Sequence, residues 1–203
     1  MPTRIDRLRR HTARLEHELE EEFVRARDRW RYRIESGRVR FERDARRAHQ
    51  RLKQGIPRFI RESNPLNFLT APVIYSLIVP IALLDLWIST YQGVCFPIYG
   101  ISHVRRSAYI VIDRHHLAYL NGIEKLNCVY CGYANGVLAY VREVAGRTEQ
   151  YWCPIRHAKR VRSPHPHYHE FVEFGDAKGY HQQLPLLRAE LKTQRDPADP
   201  DPL

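Results

Sequence analysis

The feature that most constrains this chain of 203 residues is a long stretch without charge near its middle. Nineteen consecutive residues, from Leu66 to Leu84, carry no charged side chain. At about 1.5 Å of helical rise per residue they reach roughly 28 Å, which is close to the hydrocarbon thickness of a bilayer. A buried core helix is the alternative, but a protein of this size seldom needs so long an uncharged run. The stretch therefore predicts a membrane helix.

Asp85 ends this run, and the next residues, 86–104, are again largely uncharged but are interrupted by Gln92 and Pro97. A charge at the bilayer centre costs about 2.5 to 3.5 kcal/mol on insertion scales, so we expect Asp85 to lie at a turn or at an interface. Two topologies satisfy this requirement. Residues 65–104 form a hairpin or re-entrant pair, or one helix crosses and the remainder lies outside the bilayer.

The positions of the basic residues favour the hairpin. Arg58 and Arg61 precede the apolar segment, and Arg105, Arg106 and Arg114 follow it. Because cytoplasmic flanks of membrane helices are enriched in Lys and Arg, both flanks are predicted on the same side. The net charge of +10 is consistent with this topology. We therefore expect a protein of the inner, cytoplasmic membrane with both termini in the cytoplasm.

Residues 1–62 form a basic segment with helical periodicity. Apolar residues recur three, four or seven positions apart and so share one narrow helical stripe; they are Ile5, Leu8, Leu15, Leu19, Phe23, Ala26, Trp30 and Ile34. A second run, Phe41 to Leu52, continues the pattern after Gly37. A helical hairpin and a kinked long helix both fit, and both give a coiled-coil-like arm.

Two roles are open for this arm. It self-associates or binds a protein partner through the stripe, or it is a solvated helix that folds back on its own domain. Nucleic acid is not favoured as a partner, because the acidic run Glu20 to Glu22 interrupts the positive surface and no base-reading motif is present. We expect the lipid bilayer and a protein partner or second copy.

Three cysteines and one histidine suggest a metal site after the apolar segment. Cys128 and Cys131 have the two-residue spacing of thiolates that bind one ion, and Cys153 is followed four residues later by His157. Three thiolates and an imidazole make a common tetrahedral zinc shell, whereas iron–sulfur clusters more often take four thiolates. The chain contains four cysteines, and this small number does not suggest a disulfide framework. It fits a protein of a reducing compartment. We predict a structural zinc site.

Alternates for the fourth ligand lie in a Pro/His-rich stretch. His165, His167 and His169 alternate with Pro166 and Tyr168, and in an extended chain such residues point to one side. They line a metal or phosphate site, or the stretch is only a solvated connector. A redox role for Cys128 and Cys131 is the sharper rival to zinc binding, although no βαβ pattern precedes them.

Three short motifs resemble uncharacterised bacterial membrane proteins: Asp113-Arg-His-His116, Asn127-Cys-Val-Tyr-Cys-Gly132 and Tyr151-Trp-Cys-Pro154. The five residues Cys128 to Gly132 also resemble half of a zinc knuckle. The first resemblance implies membrane association and brings no known reaction with it.

The sequence thus predicts a mainly α-helical protein in four parts: a basic helical arm (1–62), a membrane helical hairpin or re-entrant segment (65–104), a small cytoplasmic Cys/His metal-binding domain (105–193) and a disordered tail (194–203). The expected function is a membrane-anchored, zinc-stabilised interaction or scaffolding protein of the cytoplasmic face. No catalytic nucleophile set, phosphate loop or cofactor fingerprint favours an enzyme. The alternative is a membrane-bound metalloenzyme or thiol redox protein that uses the Cys/His cluster.

Overall fold

The computed structural model describes residues 4–35 and 38–193 and is built mainly from α-helices. Its contacts group the chain into two compact units. The first contains the described residues up to Ser63 together with Asp113–Leu126, and the second contains Asn64–Ile112 and the described residues from Asn127 onward. This grouping divides the segment predicted as one metal-binding domain between the two units.

The first unit begins with a long helix, α1 (Arg4–Trp30), followed by a two-stranded ribbon, β1 (Tyr32–Glu35) and β2 (Arg38–Phe41). Two short helices follow, α2 (Arg43–Arg51) and α3 (Ile56–Glu62). The helical character predicted for most of residues 1–62 is confirmed. Pairing of the α1 stripe with another helix stays a prediction.

The ribbon replaces the predicted helical hairpin or kinked helix. Arg31 adopts a positive φ of 52°, which ends α1. In the antiparallel register Tyr32 lies opposite Phe41 and Ile34 opposite Val39, so aromatic and branched side chains alternate with arginines. An alternation with a period of two is the pattern of a β-strand, so these residues fit a strand as well as a helix. Cross-strand pairs of aromatic and branched residues then stabilise the ribbon. Gly37, after which the helical pattern was expected to continue, lies outside the described residues.

The second unit contains α4 (Pro65–Ser76), α5 (Ile78–Tyr99), the short helix α6 (Arg106–Tyr109), most of α7 (Gly122–Trp152) and α8 (Ala177–Thr193). Only Leu77 separates α4 from α5, and its backbone angles (φ −63°, ψ −15°) are close to helical. Within the part of the chain that is described, one helix, Pro65–Tyr99, is long and apolar enough to cross a membrane.

The prediction of a hairpin turn at Asp85 was wrong. The chain continues through this residue as α5, and Asp85 is buried in the middle of the helix. The physical reason is that partners from elsewhere in the second unit compensate its charge, as described below. The carboxylate therefore does not need a turn or an interface.

Helices α5 and α7 run in the same direction. Just before the start of α5, the hydroxyl of Tyr130 on α7 donates to the carbonyl of Ile74, in the last turn of α4, at 2.8 Å. Near the end of the pair, the ring of Tyr99 stacks on that of Tyr151 at 5.1 Å. Residues 101–112 therefore return along the pair in the opposite direction, mostly without helical structure. The hydrophobic core of this unit combines residues from α5, the returning segment, α7 and α8, namely Phe96, Ile101, Val104, Tyr140, Val144 and Leu191.

In the sequence, Leu184, Leu187 and Leu191 are three and four positions apart, which predicts a short amphipathic helix with Pro185 near its first turn. Helix α8 confirms this helix, and Leu187 and Leu191 are buried in it. It begins earlier than the sequence suggested, at Ala177, because the Asp176 carboxylate accepts a hydrogen bond from the amide of Gly179 and caps the helix. Pro185 consequently lies inside the helix instead of in its first turn. The predicted disordered tail, 194–203, lies outside the described residues.

Candidate functional site

The charged residue of α5 sits in a complete hydrogen-bonded shell. Arg106 donates from Nε to Oδ1 of Asp85 at 2.9 Å and from Nη2 to Oδ2 at 2.6 Å. Tyr133, on α7, donates its hydroxyl to Oδ2 at 2.9 Å. Such a bidentate pair is among the stronger side-chain interactions, and buried charges require partners of this kind. Asp85 therefore holds the returning segment and α7 against α5.

Gln92, seven residues later on the same face of α5, satisfies backbone groups of the returning segment. Its Oε1 accepts the amide hydrogen of Val104 at 2.8 Å, and its Nε2 donates to the Val104 carbonyl at 3.2 Å and to the Tyr140 hydroxyl at 3.0 Å. A buried segment of non-helical backbone needs hydrogen-bond partners for its N–H and C=O groups. The Gln92 side chain supplies these hydrogen bonds to Val104, as a neighbouring strand would do in a β-sheet.

Two glycines of α7 let the returning backbone lie directly on the helix. A Cβ built on Gly136 would come within 2.8 Å of both the Tyr109 carbonyl oxygen and the Ile110 Cα. One built on Gly132 would come within 3.2 Å of the Val111 carbonyl oxygen. Directly after Cys131, Gly132 predicts a tight turn beside the expected metal site. It lies instead within α7, and its role is close backbone approach.

Near the C-terminal end of α7, a guanidinium, a carboxylate and an imidazole are buried together. Arg147 Nε donates to Glu143 Oε1 at 2.8 Å, and the same oxygen lies 2.9 Å from His167 Nε2. Arg147 also donates from Nη1 to the Ser102 carbonyl at 2.8 Å. These three side chains, which we call the buried triad, connect α7 to the returning segment and to the loop that precedes α8.

A second carboxylate and imidazole pair lies beside the triad. His165 Nε2 is 3.0 Å from Glu149 Oε2. Gly146 lies beneath both imidazoles, since a Cβ at this position would approach His165 Nδ1 to 2.8 Å and His167 Cδ2 to 3.1 Å. The Nδ1 atom of His165 is therefore closed off against the helix. The residues together clamp the segment His165–Glu170 onto α7.

The electrostatics of this clamp depend on protonation. Burial raises the pKa of the Glu143 carboxyl, but the hydrogen bonds and charges of His167 and Arg147 outweigh this effect and hold the pKa below its ordinary value. Burial lowers the pKa of His165, and the hydrogen bond to Glu149 opposes this only in part. At neutral pH, Glu143 is therefore charged and His165 is therefore neutral.

The structure does not bring the four predicted metal ligands together. Cys128 and Cys131 lie one turn apart in the first part of α7, and Cys153 follows the last residue of the same continuous helix. A separation of twenty-two residues at helical rise places Cys131 and Cys153 about 33 Å apart along the axis. All four cysteines of the chain are free thiols. The single zinc shell with Cys153 and His157 is therefore not formed in this fold.

The alternate ligands are also placed differently from the prediction. His165, His167 and His169 precede or belong to a 3₁₀ turn, Pro166–Glu170, so they do not form an extended row. His165 and His167 face the carboxylates of α7, and the carbonyl of His169 accepts from Arg156. His157 lies beside Tyr168, whose hydroxyl accepts its amide hydrogen at 2.7 Å. Among the residues described, no group of three or more His, Cys, Asp or Glu side chains is arranged to hold a metal ion.

In the sequence, Asp85 and Gln92 stand out only as interruptions of the apolar run, without evident partners, and Glu143 and Arg147 belong to no recognised motif. Asp85 and Gln92 are the polar residues seven apart on an apolar helix, a spacing that indicates one face. Glu143 and Arg147 have the four-residue spacing of an acid and base on one helical face, interleaved with the buried Val144. Both signals were present, but the second is shared by ordinary solvated ion pairs.

No protein-family model matches the chain, and comparison with curated proteins and with solved structures also gives no match. The resemblance of the three short motifs to bacterial membrane proteins stays a prediction.

Proposed function

We propose that this chain is a membrane-anchored interaction protein whose Pro65–Tyr99 helix crosses a lipid bilayer. The observation that carries the proposal is an inverted distribution of polarity around this helix. Leu69, Trp87 and Ile98 are 75%, 76% and 75% exposed, whereas Asp85 and Gln92 are each only 6% exposed. In a soluble core helix the pattern is the reverse, with apolar side chains buried and polar ones exposed.

A bilayer explains both halves of this pattern. Apolar side chains left in water forgo about 25 cal/mol per Å² of burial, and exposed apolar patches of more than a few hundred Å² mark membrane or protein interaction surfaces. Ionisable residues of membrane helices face the protein interior and pair there, as Asp85 does with Arg106. The mostly non-helical segment 101–112 is tolerated beside such a helix, because Gln92 pairs with its backbone at Val104 and the close packing on Gly136 covers it.

The interaction part of the proposal rests on α1. Its side chains Leu15, Leu19 and Phe23 are about half exposed and lie along one stripe. Ion pairs such as Arg25 with Glu21 flank the stripe, as the e and g positions do in coiled coils. We propose that a protein partner or a second copy of the chain covers this stripe. The cytoplasmic membrane is the expected location.

The second unit favours a single crossing over a hairpin. Tyr99 stacks on Tyr151, and Lys192 packs against Gly100, so the end of α5 and the end of α8 lie together, a full helix length from Asn64. If α4 and α5 cross the bilayer, residues 153–193 lie on the opposite side from Asn64. We propose this topology in place of the expected one, in which both termini lie in the cytoplasm.

Alkaline carbonate extraction of cell membranes tests the anchor. We expect the wild-type chain to stay in the membrane pellet. The double variant Val79→Arg/Leu83→Arg adds charges to the exposed apolar face, at about 2.5 to 3.5 kcal/mol each near the bilayer centre, and should be released. Leu186→Arg, at an exposed position of α8, is the matched control and should be retained. A wild-type chain that is soluble and monodisperse without detergent would disprove the proposal.

A membrane-impermeant thiol reagent tests the topology. In a background without the other cysteines, the native Cys153 and an introduced Ser63→Cys should react from opposite sides of the membrane. Labelling of both from one side in intact cells would instead support the hairpin.

A further inference from the structure

The loop between α7 and α8 forms a basic groove whose ligand the proposed function does not specify. The groove has a volume of about 1020 Å³ and is lined by residues 156–164 with Tyr168, His169 and Glu173. Its cations are Arg156, Lys159, Arg160 and Arg162. Glu173, the carboxylate in the lining, is paired with Arg156. The groove therefore carries a net positive charge.

The walls of this groove are held in place. On one side, the backbone of Arg156 donates to the Val172 carbonyl at 2.8 Å, and Val172 donates to the Pro154 carbonyl at 2.9 Å. On the other side, Arg142 of α7 donates to the carbonyls of Ser163 and Pro164. The concave shape is thus built by contacts outside the cations themselves. Lys159, Arg160 and Arg162 remain exposed at its surface.

The position of the groove indicates which anions reach it. Arg156 follows Trp152, the last residue of α7, by four residues, which limits their separation to about 14 Å. At this end of the helix pair, Tyr99, Tyr151 and Trp152 form one aromatic cluster, with the ring centroids of Tyr99 and Trp152 at 5.4 Å. Tyr and Trp are enriched where membrane helices pass through the headgroup layer, and basic clusters next to such helices attract anionic lipids.

We propose that the groove binds the phosphate of an anionic phospholipid headgroup, with Lys159, Arg160 and Arg162 as the residues that contact it. This inference rests on the proposed membrane anchor and adds a ligand class to it. The bound headgroup would fix the depth of the aromatic cluster and hold the loop against the membrane surface. The free inorganic anion shares the same chemistry, so the experiment must separate the two sources.

The test uses the full-length chain in a non-ionic detergent and measures its thermal unfolding midpoint. The probes are short-chain phosphatidylglycerol, short-chain phosphatidylcholine and inorganic phosphate, each at low ionic strength because salt screens exposed charges. We expect phosphatidylglycerol to raise the midpoint and the other two to leave it unchanged. An equal rise with inorganic phosphate would overturn the lipid assignment.

Two triple variants locate the effect. K159Q/R160Q/R162Q should lose the rise, whereas R43Q/R46Q/R47Q, which removes the same charge from exposed positions of α2, should keep it. The charge-preserving K159R/R160K/R162K should also keep it. Equal losses in both glutamine triples would mean that binding is a general effect of net charge and would overturn the inference.

Failure here is distinguishable from failure of the anchor. A wild-type chain that resists carbonate extraction but shows no response to phosphatidylglycerol refutes only the headgroup site. A chain that responds to the lipid but is released by carbonate refutes only the anchor.

Discussion

Arg147 has no exposed side-chain surface, and its Nε donates to the buried Glu143 carboxylate at 2.8 Å. Glu143 also contacts His167, and Arg147 also contacts the Ser102 carbonyl. One ion pair on one face of α7 thereby joins three separate parts of the second unit. Both partners of such a buried pair are needed for stability, because loss of either one leaves the other charge buried and uncompensated.

The first prediction concerns this pair. We expect Arg147→Met and Glu143→Gln each to lower the free energy of unfolding by about 3 to 5 kcal/mol, the cost of breaking a buried pair. The double variant should lower it by less than the sum, because no single charge is left behind. Denaturant-induced unfolding in detergent measures all three.

Glu173→Gln serves as the control for this series, since it breaks an ion pair whose carboxylate is largely exposed and should cost less than about 1 kcal/mol. Additive effects of the two buried substitutions would show that Glu143 and Arg147 do not act as a unit.

The second prediction concerns pH. Because the pKa of folded His165 lies below its ordinary value of 6.5, the unfolded chain binds a proton first as the pH falls. Its contribution to the free energy of unfolding is therefore present above pH 6.5 and is lost as the pH falls from there through the folded pKa. Glu143, whose folded pKa lies below 4.5, adds a further loss below pH 4.5. Unfolding measured over a pH series checks both steps.

Two variants assign these steps. His165→Gln should remove the one that begins at 6.5, while His181→Gln, at an exposed position of α8, should preserve it. An unchanged pH profile in His165→Gln would assign the step to another group.

The third prediction compares two glycines within helices of the second unit. Gly136→Ala should destabilise the chain by about 1 to 3 kcal/mol, the range for overpacking, because its Cβ would meet the backbone of Tyr109 and Ile110 at 2.8 Å. Gly93→Ala has no atom within 4 Å of its new Cβ and should be neutral or stabilising by up to about 1 kcal/mol, the difference in helix propensity. Unfolding midpoints decide between them, and equal effects would show that residues 109–112 do not lie on α7.

The fourth prediction measures the length of α7 directly. Spin labels on Cys131 and Cys153, with Cys95 and Cys128 replaced by Ser, should be separated by on the order of 33 Å, the rise of a continuous helix. Pulsed electron paramagnetic resonance in detergent gives this distance. A separation short enough for two ligands of one ion would restore the predicted zinc shell and contradict the continuous helix. Labels on Cys128 and Cys131, one turn apart, provide the short-distance reference.

The sequence alone was sufficient for the helices whose periodicity or composition is strong. It predicted α1, the apolar helix over 66–84 and α8, since apolar periodicity and the absence of charge act locally. The start of α7 is also determined locally, by a capping box. The Asn121 side chain accepts from the amides of Ile123 and Glu124, and the Glu124 carboxylate accepts from the amide of Asn121.

Only the tertiary structure decided where the charges and thiols lie. A charge within an apolar run predicts a turn unless a partner compensates it, and the partners of Asp85 come from residues 106 and 133, which local sequence cannot indicate. Cysteine spacing likewise predicts a shared ion only if the chain between them folds back, and residues 132–152 instead continue one helix. Local propensity determines which segments are helical, whereas pairing across tens of residues determines which of their polar groups can be buried.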